Sequence, residues 1–126
     1  MENVREIAPL IWVSDIEEAI KFYCEVLDFS CQDSWKPNGV LKWCSLALGT
    51  SSLMLQQYGG EAEFRKPEGI DLYIVCDDVE LLYKAISSKR AHVTPISIAF
   101  YDMKQFFVTD PDGNKICFES SIRENR

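Results

Sequence analysis

One histidine, His92, is all that this sequence offers for proton transfer by imidazole. It follows a helical stretch in polar surroundings, where a solvated side chain is the ordinary outcome. Alone, it makes a Ser-His-Asp relay or a histidine-rich metal site hard to assemble. The five cysteines, Cys24, Cys31, Cys44, Cys76 and Cys117, are odd in number and form no CxxC pair. They mostly fall within apolar segments, as buried cytosolic thiols do, and read as neither a disulfide framework nor a zinc site. What remains is a set of aromatic side chains and two acids, Asp71 and Glu119. A buried acid could serve as a base, and an exposed one could draw a cation. Whether these groups meet depends on the elements that carry them.

The plainest element is a hairpin over residues 106–119, FFVTDPDGNKICFE. Two strand-like runs flank Pro-Asp-Gly. Pro111 presets the first corner of a tight turn, Gly113 tolerates the positive φ it needs, and Asp110 and Asp112 can bond their own backbone. Alternation puts Phe107 and Thr109 on one face, Phe106 and Val108 on the other. Beyond the turn, Cys117 and Glu119 share a face opposite Ile116 and Phe118.

Taken in order, residues 6–13 read as a strand, held to an edge or a strand start by Pro9. Ser14 opens a helix with Glu17 at capping-box spacing, and Ile16, Ala19, Ile20, Tyr23 and Leu27 form its apolar stripe. The helix stops near Asp28. Residues 29–33 suit a short strand, 35–39 a turn, 40–48 a strand, 49–52 a turn and 53–57 a strand. Residues 58–69, with three glycines and a proline, read as a linker. Then the order restarts: a strand over 70–76, a helix capped by Asp77 or Asp78 with the stripe Val79, Leu82, Tyr83 and Ile86, and strands over 93–98, 104–109 and 115–120. The polar tail IRENR should fray.

The restart is an echo. VSDIEEAIK and CDDVELLYK match at a shift of 63, pairing Asp15 with Asp78, Ile16 with Val79, Glu17 with Glu80 and Lys21 with Lys84. The same shift carries Ala8 onto Asp71, Met54 onto Cys117 and Gln56 onto Glu119. Two strand-helix-three-strand units explain it. A unit of ~60 residues cannot bury both faces of its own sheet, so the helix-free face must meet a twin or another chain. Two such sheets side by side would leave a trough. Its expected lining is Trp12, Met54 and Gln56, then Asp71, Tyr73, Gln105, Phe107, Cys117 and Glu119. Trp43 could join them, its side left open by a turn of different length, and Trp35 in the loop before it could fold over the mouth. That lining is aromatic and apolar with a few polar groups, the usual makeup of a small-molecule site. The plain alternative is that Trp12, Met54 and Phe107 only fill space.

PLIWVSDIEEAIKFYCEVLDF, IVCDDVELLYKAI and FFVTDPDGNKICFE together resemble the vicinal oxygen chelate superfamily, which holds glyoxalase I, bleomycin-resistance proteins, fosfomycin-resistance enzymes and extradiol dioxygenases. The resemblance spans nearly the whole chain. It implies an α+β fold: one domain over 1–126, with βαβββ modules at about 6–57 and 70–120 and a linker over 58–69. The modules would form a curved, half-barrel mixed sheet around a central cavity. It also implies a homodimer, either with paired modules in one chain or with modules exchanged. Metal-dependent relatives place His, Glu or Gln at four positions that here are Ala8, Met54, Asp71 and Cys117. Ala8 and Met54 give a hard divalent ion nothing, and Cys117 suits a softer one only as thiolate. A site shifted to Gln56, Glu119 and Asp71 is the remaining route. The expectation is no metal and no cofactor, which removes the Lewis acid that glyoxalase and dioxygenase chemistry requires.

The totals set the outer limits. At 126 residues with 47% apolar side chains the chain suits one soluble cytoplasmic domain, and no run approaches the ~20 residues of a membrane span. A net charge of −7 repels phosphate backbones, so nucleic acid is not the expected partner. Three functions fit. One is a metal-free binding protein like the bleomycin-resistance branch, holding a planar or cationic compound; Asp71 and Glu119 would favour the cation. Another is a glyoxalase- or dioxygenase-like enzyme with a non-standard site, using Asp71 or Glu119 as base. The last is a dimeric scaffold or regulatory module.

Overall fold

The computed structural model describes residues 2–66, 68–89 and 91–122. Pro67 of the expected linker and residues 123–126 of the expected tail lie outside them. The chain divides into two compact units, Met1–Pro67 and Glu68–Arg126.

The first unit carries β1 (Leu10–Val13), α1 (Ile16–Lys21), which runs on as a π-helical turn over Phe22–Val26, then β2 (Ser30–Trp35), β3 (Trp43–Leu48) and β4 (Ser51–Gln57). The sheet order is β1-β4-β3-β2, with β1 parallel to β4 and the other pairs antiparallel. As Pro9 requires, β1 is an edge strand. It is also shorter than residues 6–13 suggest, because pairing starts at Leu10 and the Pro9 carbonyl accepts from Met54 N at 2.8 Å. Ile11, Val13, Cys44, Leu46, Leu53 and Leu55 are buried with Ile16, Ala19 and Tyr23 of the helical stripe. The helix ends at Asp28, whose φ of 68° is one that a short acidic side chain tolerates.

The second unit repeats this. It carries β5 (Leu72–Val75), α2 (Val79–Ser87), β6 (Ser97–Ile98), β7 (Met103–Thr109) and β8 (Lys115–Ser121), in the order β5-β8-β7-β6. The parallel pairs Leu10–Met54 and Trp12–Gln56 recur as Tyr73–Cys117 and Val75–Glu119, each shifted by 63. Phe106 and Phe118 stack with centroids 5.4 Å apart, and Tyr83 of α2 meets Phe106 edge-on at 5.3 Å. The expected strand over 93–98 is only Ser97–Ile98 with an isolated bridge from Val93 to Val108. Pro95 explains the gap, since it has no donor for the ladder. Thr94 bridges it, its N–H donating to Phe107 O at 2.9 Å and its hydroxyl accepting from Phe107 N at 2.8 Å.

The α1 cap differs by one residue from the sequence expectation, and the structure decides between the two expected for α2. Asp15, not Ser14, caps α1, accepting from Glu18 N at 3.2 Å, and Asp78, not Asp77, caps α2, accepting from Glu80 N and Leu81 N at 3.0 and 3.2 Å. Each helix has a second acceptor from the last strand of its unit. Gln57 Oε1 takes Ile16 N at 2.9 Å, and Ser120 Oγ takes Val79 N at 3.2 Å. These pairs are again 63 apart. Gln57→Ala and Ser120→Ala should each cost about 0.5–2 kcal/mol in urea unfolding, the usual cost of an orphaned helix N–H. A cost near zero at both would mean that water replaces the bond. No helix among the described residues is long and apolar enough to cross a membrane.

Candidate functional site

Register assembles the first half of the site. In paired strands, residues directly opposite share a face. Trp12 lies opposite Gln56, Gln56 opposite Trp43, and Trp43 opposite Trp35. One row across four strands therefore holds all three tryptophans of the chain and one amide. It is the face that α1 leaves bare, because the alternate residues Ile11, Leu55 and Cys44 are the buried ones. Register thus settles the side of Trp43. Trp35 is a correction: it ends β2 rather than lying in a loop over a mouth. A bulge between Cys31 and Asp33 lets β2 absorb Gln32 and bring Trp35 opposite Trp43. Met54 is one step along β4, opposite Leu10 and Ser45. Trp12 and Trp35 remain 44% and 58% exposed, which is a large apolar surface for residues of that size.

At the β1 end of the row the chain after β4 curls back and makes a groove of about 590 Å³, lined by Trp12, Gln56, Gln57, Tyr58, Gly59, Gly60, Phe64 and Arg65. Trp12 meets Tyr58 edge-on at 6.2 Å, and Tyr58 meets Phe64 at 5.3 Å. Gly60 leaves room for the Tyr58 ring, which a Cβ at this position would push aside. Gln57 is fully engaged: besides capping α1, its Nε2 donates to Ser14 O and Tyr58 O at 2.7 and 3.2 Å. The sequence reading took residues 58–69 as a linker and so missed Tyr58, Phe64 and Arg65. Their aromatic and cationic types amid glycines were the available signal.

The second unit gathers the other candidates. Tyr73, Cys117 and Phe107 lie in one row, and Glu119 lies opposite Gln105 and Val75 in the next. Tyr73 and Phe107 meet edge-on at 6.3 Å. Glu119 is 7% exposed, and its Oε1 accepts from the Tyr101 hydroxyl at 2.7 Å. Tyr101, from the turn before β7, was not anticipated. Its single proton goes to the carboxylate, leaving Gln105 Oε1 at 3.2 Å as the secondary acceptor. The Cys117 thiol is 3.7 Å from Gln105 Oε1 and 4.0 Å from Glu119 Oε1. Burial pushes the thiol up to about 12, with the Glu119 charge adding to it. Tyr73 is raised as well, first by lost solvation and then by Cys117, Asp71 and Glu119. Asp71 itself is exposed ahead of β5, outside the paired register.

The hydrogen bond to Glu119 is the main reason the Tyr101 phenol is raised from 10.0 to about 12. A folded-state value above the unfolded one adds stability that is complete below pH 10 and fades as pH rises toward 12. The stability difference between the wild type and Tyr101→Phe should therefore hold steady below pH 10 and close above it. A difference that grows with alkali would contradict the bond.

At the four positions where metal-dependent relatives carry ligands, the side chains do not make a matched donor set. Ala8 and Met54 of the first unit carry no hard donor, and Cys117 stays a thiol at neutral pH. Among the described residues no three His, Cys, Asp or Glu side chains come together as a metal cluster.

Residues 6–118 match the family model of the Glyoxalase/Bleomycin resistance protein/Dioxygenase superfamily, and the chain belongs to it. Its fold is similar to that of TnmS3, an antibiotic binding protein from Streptomyces sp. CB03234, at 22% identity and a TM-score of 0.75, covering 94% of this chain and 98% of that one. A glyoxalase/bleomycin resistance protein from the same Streptomyces is 24% identical with a TM-score of 0.69, over 88% and 96% of the two chains. A virulence protein from Salmonella typhimurium is 23% identical with a TM-score of 0.71, over 97% and 100%. These likenesses extend to the fold. A comparison with curated proteins gives no significant match.

Proposed function

We propose that this chain is a metal-independent small-molecule-binding protein that holds a planar aromatic compound against the tryptophan face of its first unit. The observation that carries the proposal is the row Trp12, Gln56, Trp43 and Trp35. Flat, half-exposed indoles aligned across a rigid sheet offer a planar guest large contact area at little entropy cost. The likeness to an antibiotic binding protein supports the reading, since that relative is described as a binder. The missing donors at Ala8 and Met54 support metal independence. The five unpaired thiols suit a reducing cytoplasm. Exposed Tyr73 and Val75 suit a homodimer.

The enzyme reading has one observation in its favour, the buried Glu119 carboxylate held by Tyr101. It is the second choice because Glu119 is already occupied by that phenol. A thermal-shift screen of planar compounds, run with EDTA and with added divalent ions, separates the two. A specific ligand raises the unfolding midpoint by mass action, and here it should do so equally in both arms. Stabilisation or turnover that appears only with the ions would overturn the proposal.

A further inference from the structure

The groove at the β1 end of the tryptophan row is lined by a cation and by no acid. The protein carries a net charge of −7, yet no carboxylate lines this groove. Its only charged lining residue is Arg65, and among the described residues the Arg65 guanidinium has no hydrogen bond or ion pair. Two amides also line it, and they are not equivalent. Gln57 spends both ends of its amide on Ile16, Ser14 and Tyr58. The Gln56 side-chain amide has no hydrogen-bond partner among the described residues, and the residue lies between Trp12 and Trp43 in the row. The groove thus sets one cationic fork and one unengaged side-chain amide beside the rings of Trp12, Tyr58 and Phe64.

We infer that this groove selects a planar aromatic ligand bearing an oxygen anion at its edge, a carboxylate or phenolate, paired with Arg65 and hydrogen-bonded by Gln56. The inference rests on the small-molecule reading above and reverses the charge expected from the sequence. The sequence pointed to a cation because Asp71 and Glu119 were counted in the lining. Neither lines this groove, and Glu119 is taken by Tyr101. A guanidinium matches a carboxylate bidentately, and aromatic walls shed water around the pair, so the charge contact gains strength as the ring docks.

Calorimetric titration with three probes of one shape tests it: 2-naphthoate, neutral 2-naphthamide and cationic 2-naphthylmethylammonium. The naphthoate should bind about tenfold tighter than the amide, and the ammonium weakest of all. Arg65→Gln should level the three, while Arg65→Lys should keep part of the preference. Because Arg65 is exposed, neither variant should disturb folding. Equal binding of the three, tighter binding of the ammonium, or a preference that survives Arg65→Gln would overturn the anion inference and leave the groove as a binding site. Failure of all three to bind the wild type would overturn both the inference and the reading beneath it.

Discussion

Phe106→Ala is expected to cost about 3–5 kcal/mol of folding stability, which lowers the unfolding midpoint by on the order of 10 °C. Phe106 has no exposed surface. It stacks on Phe118 across the β7–β8 pair and takes the edge of Tyr83 from α2. Removing the ring deletes its burial and leaves a hole bounded by two other rings that a sheet cannot collapse to fill. Set against a total of about 5–15 kcal/mol for a domain, the loss is a large fraction. Phe100→Ala is the matched control, the same residue type six positions away at 99% exposure. It should change stability by less than about 0.5 kcal/mol. Urea unfolding of both variants checks the pair. Equal costs at the two positions would contradict the core assigned here.

Removing the row tryptophans should have the largest effect on binding. Each indole that faces a planar guest contributes about 1–2 kcal/mol through buried area and ring contact, so Trp12→Ala and Trp43→Ala should each weaken binding about tenfold. The double variant should lose about a hundredfold if the two act independently; a departure from that sum measures how far one guest touches both. Trp12 is 44% exposed, so its loss should leave the fold intact by circular dichroism. Met54→Ala, one row away, should weaken binding less. Undiminished affinity in the double variant would remove the tryptophan face from the account.

The duplication is legible in the sequence alone. The 63-residue shift seen in the helix starts reappears in strand register and in both sets of helix caps. Alternation also separated the buried Phe106 and Phe118 from the partly open Phe107. Less was legible where one residue decides the outcome. Capping slipped by one position, because Ser14 and Asp15 are both competent caps and only the backbone decides between them. Trp35 was assigned to a loop, because a bulge at Gln32 that shifts register leaves no mark on alternation. The groove was missed altogether. Part of its wall comes from Tyr58, Gly59, Gly60, Phe64 and Arg65, in a stretch whose glycines read as a flexible connection, whereas the Tyr58 ring packs over Gly60. Tyr101 was missed because its partner Glu119 is 18 residues away, a distance that only the β7–β8 pairing closes.

Three tryptophans give three indole N–H signals in a nitrogen-15 correlation spectrum, one each from β1, β2 and β3 of the row. Adding 2-naphthoate to the labelled protein in EDTA should shift the signals of Trp12 and Trp43 along saturable curves with one shared affinity. Indole signals that stay fixed until a divalent ion is supplied, or that never move, would contradict a metal-free aromatic binding face.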